Sequence, residues 1–331
     1  MRAVTTVGEN RIEVREHPDP EPGPGEVLVR VAGAGLNRAD LMQRAGFYPA
    51  PPGSPPDIPG LEFSGTVEAL GADVDGPAVG TRVFGVTGGG GQAELAVVPA
   101  GQCALVPDGL DLVAMGGVPE TFVTAHDAMC TQAAIARHEW MLVHAVGSGV
   151  GTSALQLAKA FGARVIGTSR TADKIEACRP LGLDHGIVAP STADGALDVV
   201  ALVDAIRAVA PDGVDVTLDL VAGAYAEANV GAAAAGGRIV LIGTLAGGNA
   251  NLSILTVMQR RLRLFGTVLR PRPRAEKAAA TDAFVRDVVP LLAAKTVAPV
   301  VEAVMPLADA TAAYDRLATD ATIGKIILAA D

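Results

Sequence analysis

VHAVGSGVGTSALQLAKAFGARVIGTSRTADK, residues Val143–Lys174, carries the strongest structural signal in this chain. It opens as an apolar strand, turns through Gly147, Gly149 and Gly151, continues as a helix starting near Thr152, and ends in a second strand. Strand, glycine-rich turn, helix and strand in succession form the unit by which a parallel sheet receives the pyrophosphate of a dinucleotide. Ser148, Gly149, Val150 and Gly151 then bring backbone N–H groups to the phosphates, and the helix start turns its positive dipole end toward them. The strict G-x-G-x-x-G spacing is absent, because Thr152 follows where a third glycine would be. The assignment therefore rests on the strands to either side. About 20 residues after the glycines a carboxylate would bond the ribose of NAD, whereas an arginine accommodates the extra phosphate of NADP. Here that place holds Ser169 and Arg170, with Lys174 one helical turn later, which points to NADPH. The same basic residues would also suit an ordinary solvated helix start.

With 331 residues the chain can form two domains with sizeable cores. Half of it is apolar and 19% is charged, which suits compact domains rather than extended disorder. The formal net charge of −10 disfavours nucleic-acid or anionic-membrane binding, since both need a positive face. Phosphate-binding charge must then be local, as at Arg170 and Lys174. Cys103, Cys130 and Cys178 are widely separated and odd in number, which implies neither a disulfide framework nor a zinc cluster. The first residues, MRAVTTVGENRIEVRE, lack an apolar signal core, and no apolar run reaches the length of a membrane span. A cytoplasmic protein without membrane association is expected.

Residues 1–120 alternate short segments such as Glu26–Ala32 and Gly65–Ala69 with Pro/Gly clusters, among them EPGPGE and YPAPPGSPPDIPG. That texture predicts an antiparallel, barrel-like domain. From about Thr121 the pattern becomes α/β, with candidate strands Trp140–Ala145, Arg164–Thr168, Gly186–Ala189, Val214–Leu218, Arg238–Gly243 and Leu262–Val268. Apolar-periodic segments Leu197–Val209 and Ala224–Ala235 lie between them. Such strands with short crossovers predict a doubly wound parallel (Rossmann) sheet over residues 121–270. Phe284–Ala294 reads as a helix, and Ala298–Met305 and Lys325–Ala329 as strands returning to the first domain, which then comprises 1–120 and 271–331. Ligands sit at the carboxyl ends of the strands in such sheets. This nominates the turns Asp219–Gly223, Ile242–Thr244 and Val268–Arg270, and within them Val221, Gly243, Val268 and Leu269, as cofactor contacts. His144 ends a buried strand and is read as structural.

LNRADLMQRAGFYPAPPG (Leu36–Gly53), GLEFSGTVEALG (Gly60–Gly71), GGGQAELAVVP, VPETFVTAHDAM, SGVGTSALQLAK, GGRIVLIG and IGKIIL occur in this order. Together they resemble the zinc-free quinone oxidoreductases of the medium-chain dehydrogenase/reductase superfamily. Within them the chain is similar to the zeta-crystallin-like subgroup that includes the tumour-suppressor-induced quinone oxidoreductase. The resemblance covers essentially the whole chain and implies a Rossmann sheet plus a β-rich, GroES-like catalytic domain formed from both termini. It implies that Asn37, Gln43 and Tyr48 orient the acceptor, that Tyr48 also stacks on the cofactor or donates to a quinone oxygen, and that Thr124 contacts the nicotinamide half. Asn37 and Asp40 have a competing role as turn residues, Glu120 as a helix-entry carboxylate, and Lys325 as a plain strand residue. Many members carry a tyrosine after the third strand that helps hold the 2′-phosphate. This chain has Val188-Ala189 there, which shifts the NADPH preference onto Arg170.

Zinc-dependent relatives have Gly-His-Glu where this chain reads Gly60-Leu61-Glu62, and no thiol stands near Asn37–Asp40 or Gly88–Gly91. A catalytic zinc needs three N, O or S ligands, so no metal is expected. Without a Lewis acid a developing alkoxide goes unstabilised, whereas an electron-poor acceptor needs little help. The resemblance thus implies an NADPH-dependent quinone oxidoreductase with direct hydride transfer from nicotinamide C4 to a small-molecule quinone. The alternatives are an alkenal or enoyl double-bond reductase acting on an activated alkene, and a low-turnover cofactor-binding or regulatory protein. Leu262–Val268, as the last strand of the sheet, is expected to pair two copies into a homodimer.

Overall fold

The computed structural model describes residues 1–330. The chain divides into two units, Met1–Val123 with Leu269–Asp331, and Thr124–Val268. The second unit holds a six-stranded parallel sheet of β1 (Trp140–Val143), β2 (Arg164–Ser169), β3 (His185–Val188), β4 (Val214–Asp219), β5 (Ala233–Leu241) and β6 (Arg263–Gly266). Their order across the sheet is β3-β2-β1-β4-β5-β6, the doubly wound topology, whose reversal of direction lies between β1 and β4. Helices cover both faces of such a sheet, which is why β1 can read WMLV without polar alternation. Leu142 and Ile166 from the strands pack with Leu202, Ile206 and Ala228 from the helices.

Most predicted strand ends move by one or two residues, and four differences have a clear physical origin. The helix expected to start near Thr152 starts at Gly149, because the Ser148 hydroxyl caps it by accepting from Gly151 N–H at 3.1 Å. The helix expected to reach Ala235 stops at Ala232, and Ala233 pairs in register with Val214. Pairing there overrides the helix propensity of an alanine run. The last strand is shorter than Leu262–Val268, since β5 offers partners for Arg263–Gly266 alone. The helix read over Phe284–Ala294 is two helices, Arg274–Asp287 and Val289–Ala293, with Pro290 in the first turn of the second.

The first unit is built on a seven-stranded sheet in the order Val301–Pro306, Lys325–Ala329, Glu26–Gly35, Glu62–Leu70, Arg82–Val86, Cys103–Leu105, with Leu95–Pro99 also pairing on Glu26–Gly35. The strands within residues 1–120 pair antiparallel, as expected, whereas the later Val301–Pro306 and Lys325–Ala329 run parallel to each other at one edge. Helix Ala310–Ala318 makes the crossover that a parallel pair requires. Lys325–Ala329 runs antiparallel to Glu26–Gly35, so segments near both termini share one sheet. One face buries Val27, Val29, Val31, Phe63 and Val83, while Tyr314, Leu317, Ile326 and Leu328 form a second cluster. A hairpin of Arg2–Thr6 and Ile12–Glu16, unmarked by any turn signal we read, adds to this unit. Among the described residues no helix is long and apolar enough to cross a membrane.

Candidate active site

In the second unit the carboxyl ends of the strands carry the residues nominated for a dinucleotide. Helix Gly149–Ala160 points its N-terminus outward from the turn after β1, and the Gly149 and Val150 N–H groups find no acceptor among the described residues. A Cβ on Gly151 would lie 2.4 Å from the Ala145 carbonyl, so only glycine lets the turn close this tightly. Ser169 ends β2, and Arg170 follows it, exposed. A Cβ on Gly147 would sit 3.2 Å from Lys174 Cβ, which shows the Lys174 stem lying over the glycine turn. The structure therefore brings Ser148, Gly149, Val150 and Gly151 together with Lys174 and the end of β2. Val221 and Gly243 stand on neighbouring turns after β4 and β5, joined by the Ala246 N–H to Val221 carbonyl bond of 2.8 Å. Val268 lies two residues beyond β6 and is exposed, whereas Leu269 is buried and belongs to the first unit. Thr124 is buried, and its hydroxyl has no hydrogen-bond partner among the described residues.

A buried polar chain supports these turns; the sequence placed Asp219 in a turn and His144 at a strand end without connecting them. Asp219, the last residue of β4, is fully buried and accepts from the Val221 and Ala222 N–H groups, each at 2.8 Å. Its other oxygen accepts from Asn229 Nδ2 at 2.7 Å. Asn229 Oδ1 then accepts a hydrogen bond from His144 Nε2–H at 2.7 Å, and His144 Nδ1 accepts from the Thr168 hydroxyl at 2.8 Å. Burial pushes His144 below the usual histidine range, against the opposing pull of Asp219, so its ring is neutral. Tyr225 sets its ring edge-to-face against His144 with centroids 4.8 Å apart. His144 is thus structural, as read, and the strand ends it ties are those of β1, β2 and β4. The signal for Asp219 was present, a carboxylate closing an apolar strand before Val-Ala-Gly; Asn229 had none.

In the first unit a second cluster surrounds the start of helix Arg38–Arg44. Lys325 Nζ reaches Glu62 Oε1 at 2.7 Å and Asn37 Oδ1 at 2.8 Å, and also donates to the Leu36 carbonyl. Asn37 Nδ2 donates to Glu62 Oε1 at 2.9 Å, and Glu62 Oε2 accepts from the Glu120 N–H at 2.8 Å. Asp40 accepts from the Asn37 N–H at 2.8 Å and from Gln92 Nε2 at 3.0 Å, and Gln92 accepts from the Tyr314 hydroxyl at 2.7 Å. Burial pushes the Asp40 carboxyl up to about 6, against the pull of the Asn37 N–H and Lys325. Asn37 and Asp40 therefore do hold a turn, and Asn37 also joins the Lys325–Glu62 pair. Lys325 is far from a plain strand residue.

Gln43 and Tyr48 meet through Arg270, which the sequence placed only at the end of the turn Val268–Arg270. Arg270 donates to the Gly88 carbonyl at 2.8 Å, the Tyr48 carbonyl at 2.9 Å and the Gln43 Oε1 at 2.5 Å, and its guanidinium lies 4.9 Å from the Tyr48 ring centroid. These partners are some two hundred residues away in the chain, so no local pattern announces them. Gln43 spends its amide on Arg270 and the Pro56 carbonyl, whereas the half-buried Tyr48 keeps a hydroxyl with no partner among the described residues.

Residues 149–285 match the zinc-binding dehydrogenase family, and residues 23–108 the GroES-like domain of alcohol dehydrogenases. The quinone oxidoreductase of Thermus thermophilus, solved also as its complex with NADPH, is 30% identical, with TM-score 0.81 over 99% of this chain and 100% of that one. The chain belongs to the medium-chain dehydrogenase/reductase superfamily. Its Rossmann sheet and GroES-like unit are the two parts of that fold. The synaptic vesicle membrane protein VAT-1 homolog of Danio rerio is 32% identical over 231 residues, 69% of this chain and 46% of its own length. Polyketide synthase GfsB of Streptomyces halstedii is 36% identical over 219 residues, 66% of this chain and 4% of its own length. This chain therefore spans less than half of either relative. Among the described residues no three of His, Cys, Asp or Glu are grouped to hold a metal, and Leu61 is buried where a histidine ligand would stand in zinc-dependent relatives.

Proposed function

We propose that this chain reduces a quinone at the expense of NADPH without a metal. The observation that carries the reading is the donor set: a dinucleotide-type turn with local basic residues, in a chain whose acceptor-side cluster offers no three-ligand metal site among the described residues. Such a site suits an acceptor that is already electron-poor. The residues present fit the cofactor. Gly149 and Val150 offer unpaired N–H groups, Gly151 leaves its place to backbone alone, Arg170 and Lys174 stand where a 2′-phosphate would need charge, and the Thr124 hydroxyl waits buried without a partner. When bound, a nicotinamide supplies two electrons and a hydrogen from its C4 to the acceptor. The chain orients that acceptor with the Tyr48 hydroxyl, while Asn37 and Gln43, both already hydrogen-bonded, act by holding Lys325, Glu62 and Arg270 in place. The test is steady-state oxidation of NADPH and NADH with a panel of quinones and enals. The reading is overturned if no quinone accelerates the oxidation.

The polyketide synthase match favours a second reading, reduction of an activated C=C bond at the same site. Turnover of enals alone would select it.

Arg170→Ala is expected to raise the KM for NADPH about tenfold, roughly 1.4 kcal/mol of lost binding, and to leave that for NADH unchanged. Equal changes for both cofactors would remove Arg170 from the site. The sheet edge supports a further expectation, a homodimer through 262–268. β6 is an outer strand, and beside its cluster Ile254, Leu255 and Met258 of the preceding helix are more than 60% exposed. Sedimentation at micromolar concentration should give twice the chain mass; a monomer there would count against the edge as an interface.

A further inference from the structure

Lys277 is a buried cation that the fold leaves unanswered. It stands in the first turn of helix Arg274–Asp287 and is only 7% exposed. Its backbone is committed, the N–H to the Pro273 carbonyl at 3.1 Å and the carbonyl to the Thr281 hydroxyl at 2.9 Å. Its ammonium has no hydrogen bond and no ion pair among the described residues. Lysines covered to this degree are ordinarily paired, or carry the head group out into water. The ammonium is not sealed off, because among the described residues only the Thr124 and Thr217 hydroxyls are both sealed and unpartnered. It therefore remains open to a small group arriving from solvent.

The surroundings oppose a bare positive charge. Helical side chains lean toward the N-terminus, which sets the Lys277 head group toward the positive end of the helix dipole. Arg270 and Arg274 add like charge. Arg274 is answered at the surface by Glu26 at 2.6 Å. Arg270 is 3% exposed and donates only to uncharged oxygens, those of Gly88, Tyr48 and Gln43. Two buried cations thus neighbour each other, and neither has an ion pair. Glu120 is the carboxyl whose charge bears on Lys277, yet the two form no ion pair, and burial and then Glu62 push Glu120 up to about 8. Burial, with Arg270 and Arg274, draws Lys277 below the usual lysine range, against the pull of Glu120.

A cation so placed costs stability and gains nothing from the chain itself. We propose that Lys277 anchors an anion site, and that its occupant is a carboxylate carried by the acceptor. The ammonium gives N–H donors to that carboxylate, while Arg270, spent on neutral oxygens, contributes charge alone. A carboxylate fits better than a phosphate. A dianion would meet Asp40, Glu62 and Glu120, and would call for more donors than one ammonium holds. Every residue of the site belongs to the first unit. The Tyr48 ring, 4.9 Å from the Arg270 guanidinium, links it to the phenol that orients the acceptor. Naming the acceptor as occupant rests on the reductase reading above.

Binding is tested first, without cofactor. In the chain labelled with carbon-13 at lysine Cε, one signal, absent from Lys277→Met, should shift saturably with sodium benzoate. Benzamide, its uncharged isostere, and sodium chloride at equal ionic strength should leave that signal in place. By calorimetry, affinity for benzoate should fall at least tenfold in Lys277→Met and largely return in Lys277→Arg. No saturable shift, an equal response to benzamide or chloride, or unchanged affinity in Lys277→Met overturns the site. Tighter binding of inorganic phosphate than of benzoate overturns its assignment to a carboxylate. Turnover is tested second, with NADPH and either a carboxylated benzoquinone or its unsubstituted parent. The preference for the carboxylated quinone, as a ratio of kcat/KM, should fall about tenfold in Lys277→Met, chiefly through KM. An unchanged ratio overturns the acceptor as occupant. If benzoate binds and neither quinone is reduced, the quinone reading fails while the site stands, and the same ratio on a carboxylated enal then judges the occupant.

Discussion

Lys325→Met is expected to destabilise the fold by about 3–5 kcal/mol, the largest single effect we anticipate. The side chains of Lys325 and Glu62 are 4% and 0% exposed, so the pair is closed to water. Methionine keeps the stem but removes the ammonium, leaving a buried carboxylate with only Asn37 Nδ2 and the Glu120 N–H. The Leu36 carbonyl and Asn37 Oδ1 lose a donor at the same stroke. Urea unfolding reads the loss directly. The double variant Lys325→Met with Glu62→Gln should recover much of it, because no uncompensated charge then remains. A cost below about 1 kcal/mol for the single variant would mean that water reaches Glu62 and that the pair is not a structural hub.

Asp219→Ala is expected to cost about 3 kcal/mol and to weaken NADPH binding at least tenfold. One buried carboxylate serves two backbone N–H groups and the Asn229 amide, and alanine leaves all three donors unpaired. The turn it holds contains Ala222 and Gly223 at φ values of +58° and +56°. A Cβ on Gly223 would lie 2.6 Å from the Ala246 carbonyl, so the turn after β4 also fixes the one after β5. Cofactor titration by fluorescence and urea unfolding give the two numbers. Intact binding with lost stability would separate the turn from the cofactor, and loss of neither would refute the role assigned to Asp219.

The parts of this protein that were legible in its sequence are those with local causes. Gly149 and Gly151 between two apolar strands announce the tight strand-to-helix turn, since the turn's sterics are written in adjacent residues. The break at Pro290 and the early stop at Ala232 were misread. In the first, a proline inside a continuous apolar pattern starts a new helix; in the second, strand pairing wins over alanine's helical preference. The acceptor-side cluster was legible only as a set of names. Asn37, Gln43 and Tyr48 came from family resemblance, but the groups that position them, Lys325 and Arg270, are joined to them by tertiary contacts alone. Glu120 shows the same limit. A glutamate at a helix start has an ordinary electrostatic explanation, and only the tertiary structure reveals the burial and the neighbouring Glu62 that push its carboxyl up.

The strand Lys325–Ala329, seated between Val301–Pro306 and Glu26–Gly35, has a consequence for how the chain is made. On a translating ribosome, Glu26–Gly35 emerges some three hundred residues before the strand that completes its edge. The contiguous unit Thr124–Val268 can close on itself meanwhile, as domains fold in the order they appear. The unit carrying Glu62 and Asn37 instead waits for Lys325, and until then holds a buried-type carboxylate without its cation. Its nascent form is therefore the one a chaperone would meet, and a premature stop before residue 325 would leave a finished parallel sheet attached to one that cannot close.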